Sequence, residues 1–192
     1  MPRNERLRWL LWLLSGVIAI GGLWYLKRAT PLQSRRDTEV EIRLSEAFWQ
    51  SEAGNYLSSA EKSALIQWVA RIPDTLTRTY ALGVTYMLLY ATEALQVPPM
   101  IYVQRLQQMR EDPWVKAYLG RLSWHTGQAD KALQYLNEAI TEDSTCGPAY
   151  LFLAGIQKDS ACYWLKLSDK ATLPPGAKAY RQNLISRFRC SG

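Results

Sequence analysis

The pattern of hydrophobic positions divides the chain into an apolar run and a longer region of helical periodicity. Residues 9–26 (WLLWLLSGVIAIGGLWYL) are eighteen consecutive uncharged residues. A helix of this length covers roughly 27 Å, close to the ~30 Å hydrocarbon core of a bilayer. Beyond residue 42, apolar residues recur at intervals of three and four, and no period-two alternation indicates strands. The pattern therefore predicts a transmembrane helix followed by an all-α domain.

The ends of the apolar run carry the aromatic residues that favour a membrane interface. These are Trp9, Trp12, Trp24 and Tyr25. A cleaved signal peptide is one alternative and a buried core helix is another. The run is too long for a signal peptide and ends in the bulky sequence LWYLKR, where cleavage requires small residues. We expect an uncleaved, single-pass anchor.

The predicted organisation is a basic tail (1–8), the transmembrane helix (9–26), a polar linker (27–42) and a helical domain (43–192). Lys and Arg are nearly balanced across the anchor: Arg3, Arg6 and Arg8 precede it, and Lys27, Arg28, Arg35 and Arg36 follow it. A short arginine-rich tail favours a cytoplasmic N-terminus and an extracytoplasmic domain. The opposite orientation, with the domain on the cytoplasmic or stromal face, stays open.

Helix boundaries in the domain are marked by caps and prolines. Ser58 and Glu61 have the spacing of a capping box, and Asp112-Pro113 marks the start of another helix. The predicted helices cover about 43–54, 59–71, 75–95, 99–110, a pair within 113–144 separated by Thr126-Gly127-Gln128, then 147–157, 160–171 and 177–189.

The segment 113–144 resembles a tetratricopeptide repeat (TPR), a helix–turn–helix unit of 34 residues. The residues that carry the resemblance are Leu119-Gly120 in the first helix, the turn residue Gly127, and Ala132 and Ala139 in the second helix. Degenerate copies flank it, with Leu82-Gly83 and Tyr86 upstream and Tyr150, Leu153 and Ala154 downstream. The resemblance implies a right-handed stack of antiparallel helix pairs, a TPR-like α-solenoid. A plain helical bundle is the alternative.

In this family the first helices of the repeats line a concave groove that binds partner proteins. The resemblance therefore implies that partner-binding residues lie on these helices. The candidates are Tyr80, Val84, Met87, Trp114, Ala117, Arg121, Trp124 and His125. An Arg beside two Trp is typical of a binding hot spot.

Charge is distributed unevenly along the chain, whose net charge is +6. Residues 41–157 carry a net charge of −3, whereas residues 158–192 hold seven Lys or Arg and two Asp. The domain as a whole, residues 41–192, has 16 basic and 14 acidic residues and a net charge of +2. A net charge this close to zero argues against nucleic acid as the ligand. The basic end is either a solvated helix face or a contact with anionic lipid headgroups or an acidic partner.

Candidate chemistry is sparse. The sequence has one His and no phosphate-binding glycine loop or metal-ligand motif, so we expect no catalytic residue, metal or cofactor. An antiparallel hairpin around Pro174-Pro175-Gly176 would bring Cys190 beside Cys162, while Cys146 lies a helix length away. We expect the Cys162–Cys190 pair to be a disulfide outside the cytoplasm and two core thiols otherwise.

The sequence thus predicts a membrane-anchored, TPR-like scaffold or assembly factor that binds a protein partner of a membrane complex. Its other contact is membrane lipid, through the N-terminal helix. The alternative is an integral accessory subunit of a larger membrane complex, and an enzyme is the least favoured class.

Overall fold

The computed structural model describes residues 38–72, 76–95 and 98–190, and the chain divides into two units, Met1–Glu41 and Ile42–Gly192. Described residues fold into helices and contain no strand. The α-helices are α1 (38–52), α2 (Ser59–Val69), α3 (Thr77–Tyr90), α4 (Pro99–Gln108), α5 (Pro113–His125), α6 (Ala129–Glu142), α7 (Gly147–Ile156), α8 (Ala161–Leu167) and α9 (Ala177–Phe188). The all-α prediction is confirmed for this part of the chain.

Most of the predictions for the N-terminal region concern residues that the structure does not describe. The predicted transmembrane helix 9–26, its interfacial residues and the basic tail lie outside the described residues. Among the helices that are described, none is long and apolar enough to cross a membrane. Residues 38–42 were predicted to be linker, but they are helical and belong to α1. The sequence did not indicate this part of the helix because the hydrophobic periodicity of α1 begins only at its first buried residue, Leu44.

Helices α2 and α5 begin at the residues that the sequence indicates. The Glu61 amide donates to Ser58 Oγ (3.4 Å) and the Ser58 amide donates to Glu61 Oε2 (3.0 Å), which confirms the capping box. Asp112 caps α5 by accepting from the Trp114 amide (2.8 Å). A cap of this kind contributes about 1 kcal/mol to helix stability.

Helices α3 to α8 form three successive hairpins. Within each hairpin the two helices pack together, and the first helices pack in the order α3, α5, α7, with α9 against α7 and α8. Such an arrangement of nearest-neighbour helix pairs is consistent with a helical solenoid.

Helices α5 and α6 approach each other closely at Gly120. A Cβ added at Gly120 would lie 2.8 Å from Leu136 Cγ and 3.2 Å from the Ala132 carbonyl oxygen. Ala132 and Ala139 are fully buried. Small side chains at these positions therefore permit the α5–α6 contact.

We expect Gly120→Ala to destabilise the protein by up to about 2 kcal/mol. Overpacking costs about 1–3 kcal/mol, and about 1 kcal/mol returns through helix propensity. The measurement is denaturant unfolding of the full chain in mild detergent. In a Leu136→Ala background the penalty should shrink, and an equal penalty in both backgrounds would contradict the steric explanation.

Helix α1 lies at the centre of the core. Phe48 and Trp49 are fully buried. The Phe48 ring contacts Tyr90 of α3, Tyr118 of α5 and Phe152 of α7, at centroid distances of 6.3, 5.8 and 6.2 Å. Trp49 stacks on Phe152 (5.3 Å) and contacts Tyr180 of α9 (5.4 Å). The first helices of all three hairpins thus share α1 as a packing partner.

The C-terminal hairpin α8–α9 is closed by a disulfide between Cys162 and Cys190, the pair that the sequence predicts, with Cα atoms 5.3 Å apart. Cys146 is a buried free thiol. The hairpin turn also contacts α1, since Ser45 Oγ donates to the Pro175 carbonyl (2.7 Å). Gly176 has φ +80°, and a Cβ there would lie 2.8 Å from the Glu46 Cα atom. This position requires glycine both for its conformation and for its space.

We expect that replacing Cys162 and Cys190 together with Ala will lower stability by about 3–4 kcal/mol, since the bridge closes a loop of 28 residues. Thermal unfolding of the full chain followed by circular dichroism measures the effect. Reducing agent should lower the Tm of the wild type and leave the double variant unchanged. A wild-type Tm that is insensitive to reduction would contradict the expectation.

Candidate functional site

Two of the predicted partner-binding residues lie in the interior. Tyr80 is 4% exposed and Trp114 is 9% exposed. The guanidinium of Arg105 lies 4.6 Å from the Tyr80 ring centroid, and that of Arg78 lies 4.9 Å from the Trp114 ring. These cation–π contacts fix the packing of the two rings. The prediction that Tyr80 and Trp114 face a partner is corrected, because neighbouring helices cover them.

The inner face of the hairpin stack is also covered. Val84, Met87 and Ala117, which the TPR resemblance places in a groove, are at most 1% exposed. Helix α1 packs against α3, α5 and α7 through Phe48 and Trp49. A segment of this chain therefore occupies the face on which the resemblance places a partner.

Arg121 joins α5 to α1 through a buried ion pair. Its Nε donates to both carboxylate oxygens of Glu52, at 2.9 and 3.1 Å. Tyr90 Oη donates to Glu52 Oε1 (2.7 Å). The Glu52 side chain is 4% exposed and that of Arg121 is 19% exposed. The charge of the Glu52 carboxylate is thus balanced by Arg121, and its oxygens accept hydrogen bonds inside the fold. Arg121 is therefore not free to bind a partner.

Arg121 and Tyr90 keep their ordinary protonation states at physiological pH. Burial acts to lower the pKa of Arg121, but Glu52 and Tyr90 oppose it, and the pKa is raised overall. Burial raises the pKa of Tyr90, and Glu52 raises it further. Tyr90 therefore keeps the proton that it donates to Glu52, and Arg121 keeps its charge.

The remaining predicted residues, Trp124 and His125, are exposed, Trp124 by 40%. They lie one helical turn beyond Arg121. Tyr56, which is 67% exposed in the loop after α1, contacts the Tyr90 ring at 6.0 Å. Contacts through Glu52 and Arg121 therefore link Tyr56 and Tyr90 to the end of α5. We call Tyr56, Tyr90, Trp124 and His125 the aromatic end patch.

Sequence reasoning missed the contribution of Tyr56 and Tyr90 to this patch. A large aromatic residue in a polar loop between two helices, as in Gly54-Asn55-Tyr56, is a signal that could have identified Tyr56. Tyr90 carries no such signal because it lies in an apolar helix whose residues are mostly buried. Its role depends on α1, whose position the local pattern does not reveal.

The composition of the end patch suits protein recognition. Trp, Tyr and Arg are enriched at binding hot spots, where rigid aromatic rings surround a desolvated polar centre. Within the described residues, no three or more His, Cys, Asp or Glu side chains are grouped so that they could hold a metal ion. Comparison with models of known protein families, with curated proteins and with solved structures finds no match.

Proposed function

We propose that this chain is a membrane-anchored, TPR-like scaffold or assembly factor that binds a protein partner of a membrane complex through the aromatic end patch. The observation that supports the proposal is the exposure of Tyr56 and Trp124, together with the contacts that join Tyr56 through Tyr90 and Glu52 to Arg121, one helical turn before Trp124. The segment 9–26 would anchor the protein and concentrate it at the bilayer.

The proposal places the partner at one end of a right-handed TPR-like stack rather than in its groove. Helix α1 fills the inner face with fully buried aromatic side chains. Displacing it would expose Phe48 and Trp49 and cost several kcal/mol. The end patch needs no such rearrangement.

The disulfide supports an extracytoplasmic domain with a cytoplasmic N-terminal tail. Structural disulfides persist in oxidising compartments and are rare in the cytosol. In intact cells, a membrane-impermeant thiol reagent that follows reduction should label Cys162 and Cys190. Labelling only after the membrane is permeabilised would favour the cytoplasmic or stromal orientation.

Co-purification tests the binding site. The full chain is extracted in mild detergent as the wild type and as Tyr56→Ala/Trp124→Ala. A stoichiometric partner should be lost from this variant and retained by Met100→Ala/Ile101→Ala, which alters exposed side chains on α4. Retention of the partner by both variants would reject the end patch.

An accessory subunit is the second candidate, and the start of α4 favours it. Pro98 to Ile101 form a continuous exposed apolar segment, with Met100 63% and Ile101 52% exposed. A permanently assembled subunit would cover such a segment. Loss of the partner from Met100→Ala/Ile101→Ala alone would favour this function.

A further inference from the structure

The hairpin α8–α9 presents a positively charged surface. Six cations of the hairpin and the turn before it are exposed: Lys158, Lys166, Lys170, Lys178, Arg187 and Arg189. The seventh, Arg181, pairs with Asp169. Asp159 is the remaining acidic residue between 158 and 190. This surface contrasts with residues 41–157, whose net charge is −3.

Two of these lysines, Lys166 and Lys178, share one continuous face, and the exposed Lys170 directly follows Asp169, which lines the same face. One surface depression between α8 and α9 is lined by Tyr163 and Lys166, and a second is lined by Lys178. Both depressions include Asp169 and Arg181, so they adjoin. Tyr163 is 59% exposed and contacts the partly buried Trp164 edge-to-face at 4.9 Å. An exposed tyrosine therefore lies in the same depression as Lys166.

The face is held in place by bonds within the hairpin. The disulfide joins α8 to the end of α9. Arg181 Nε donates to Ser168 Oγ (2.8 Å), and its Nη2 donates to the Leu165 carbonyl (3.1 Å). The lysines are therefore presented on a preorganised support, which reduces the entropy lost when they bind.

We infer that this face docks on the headgroups of anionic lipids in the membrane that carries the protein. Each Lys or Arg near an anionic bilayer raises the binding constant about fivefold, and tyrosine favours the headgroup level. The inference rests on the proposed membrane anchor, which keeps the bilayer within reach. The anionic bilayer repels the acidic remainder of the domain. The charge distribution therefore orients the α8–α9 hairpin towards the bilayer.

Hydrogen exchange of the full chain in nanodiscs tests the inference. One set of nanodiscs contains phosphatidylcholine alone, and the other also contains phosphatidylglycerol. Backbone amides of 168–176 should exchange about fivefold or more slowly in the anionic discs, and high salt should remove the difference. Equal exchange in both sets of discs overturns the inference.

Two variants with the same net charge distinguish an effect of this face from an effect of overall charge. Lys166→Glu/Lys170→Glu/Lys178→Glu should abolish the difference between the discs. Arg71→Glu/Arg110→Glu/Lys131→Glu makes the same change in net charge at other exposed positions and should keep it. Loss of the difference in both variants, or in neither, overturns the inference. Slowing in native membranes but not in anionic discs also overturns it and indicates an acidic protein partner.

Failure of the anchor is distinguishable from failure of the docking face. If the full chain does not enter nanodiscs, the proposed anchoring is wrong. Sedimentation of the same chain with phosphatidylglycerol vesicles, but not with phosphatidylcholine vesicles, would still support the face. The Lys166→Glu/Lys170→Glu/Lys178→Glu variant must then lose this sedimentation, and retention overturns the inference.

Discussion

Replacing Arg121 with Met will destabilise the helical unit by about 3–5 kcal/mol, because it leaves the buried Glu52 carboxylate without its cation. Glu52 is 4% exposed and retains only the Tyr90 hydroxyl as a hydrogen-bond donor among the contacts described above. The measurement is denaturant unfolding of the full chain in detergent, with the denaturant slope compared between variants. An unchanged slope would show that the loss is one of stability.

Two variants control this prediction. Lys62→Met removes the cation of a pair whose carboxylate is solvated, since Lys62 Nζ lies 4.0 Å from a Glu93 side chain that is 68% exposed, and it should cost less than about 1 kcal/mol. Glu52→Gln in the Arg121→Met background removes the stranded charge and should recover part of the loss. If Arg121→Met costs no more than Lys62→Met, the ion pair does not stabilise the fold.

Phe48→Ala will destabilise the unit by about 3–5 kcal/mol, since the side chain is fully buried among rings from α3, α5 and α7. The cavity would lie where three hairpins meet, and several edge-to-face contacts would be lost. Thermal and denaturant unfolding measure the change.

A conservative substitution and a surface substitution serve as controls for the stability loss of Phe48→Ala. Phe48→Leu keeps most of the volume and should cost less than half as much. Tyr56→Ala removes an aromatic ring that is 67% exposed and should cost about 1 kcal/mol or less. A Phe48→Ala loss similar to that of Tyr56→Ala would mean that α1 is dispensable to the core.

Local sequence signals were sufficient to predict the helices, because caps and breakers act over a few residues. The Ser58–Glu61 box and Asp112 are examples. The buried face of α1 was also predictable: Leu44, Ala47, Phe48 and Ser51 are all buried. What periodicity does not specify is the partner of that face, since any apolar surface satisfies it. The position of α1 against three hairpins therefore could not be predicted.

Because periodicity does not specify packing partners, only part of the candidate site could be predicted. Cys162 and Cys190 could be paired from the sequence because a short hairpin constrains both ends. Tyr80 and Trp114 were assigned to a groove because aromatic residues on first helices suit both cores and binding surfaces. Their burial depends on Arg105 and Arg78, which come from other helices. Trp124 stayed exposed because it lies at the end of α5, beyond the reach of α1.

The hydrogen bond from Ser45 to the Pro175 carbonyl has a consequence for biosynthesis, because 130 residues separate its two ends. At roughly 5–20 residues per second, the ribosome needs on the order of 6 to 26 seconds to make that interval. Throughout this time α1 has been synthesised but the hairpin that completes its surroundings has not. Until then the part of its aromatic face that packs against Tyr180 of α9 lacks its partner, so this part of the core closes only after the α8–α9 hairpin has been synthesised.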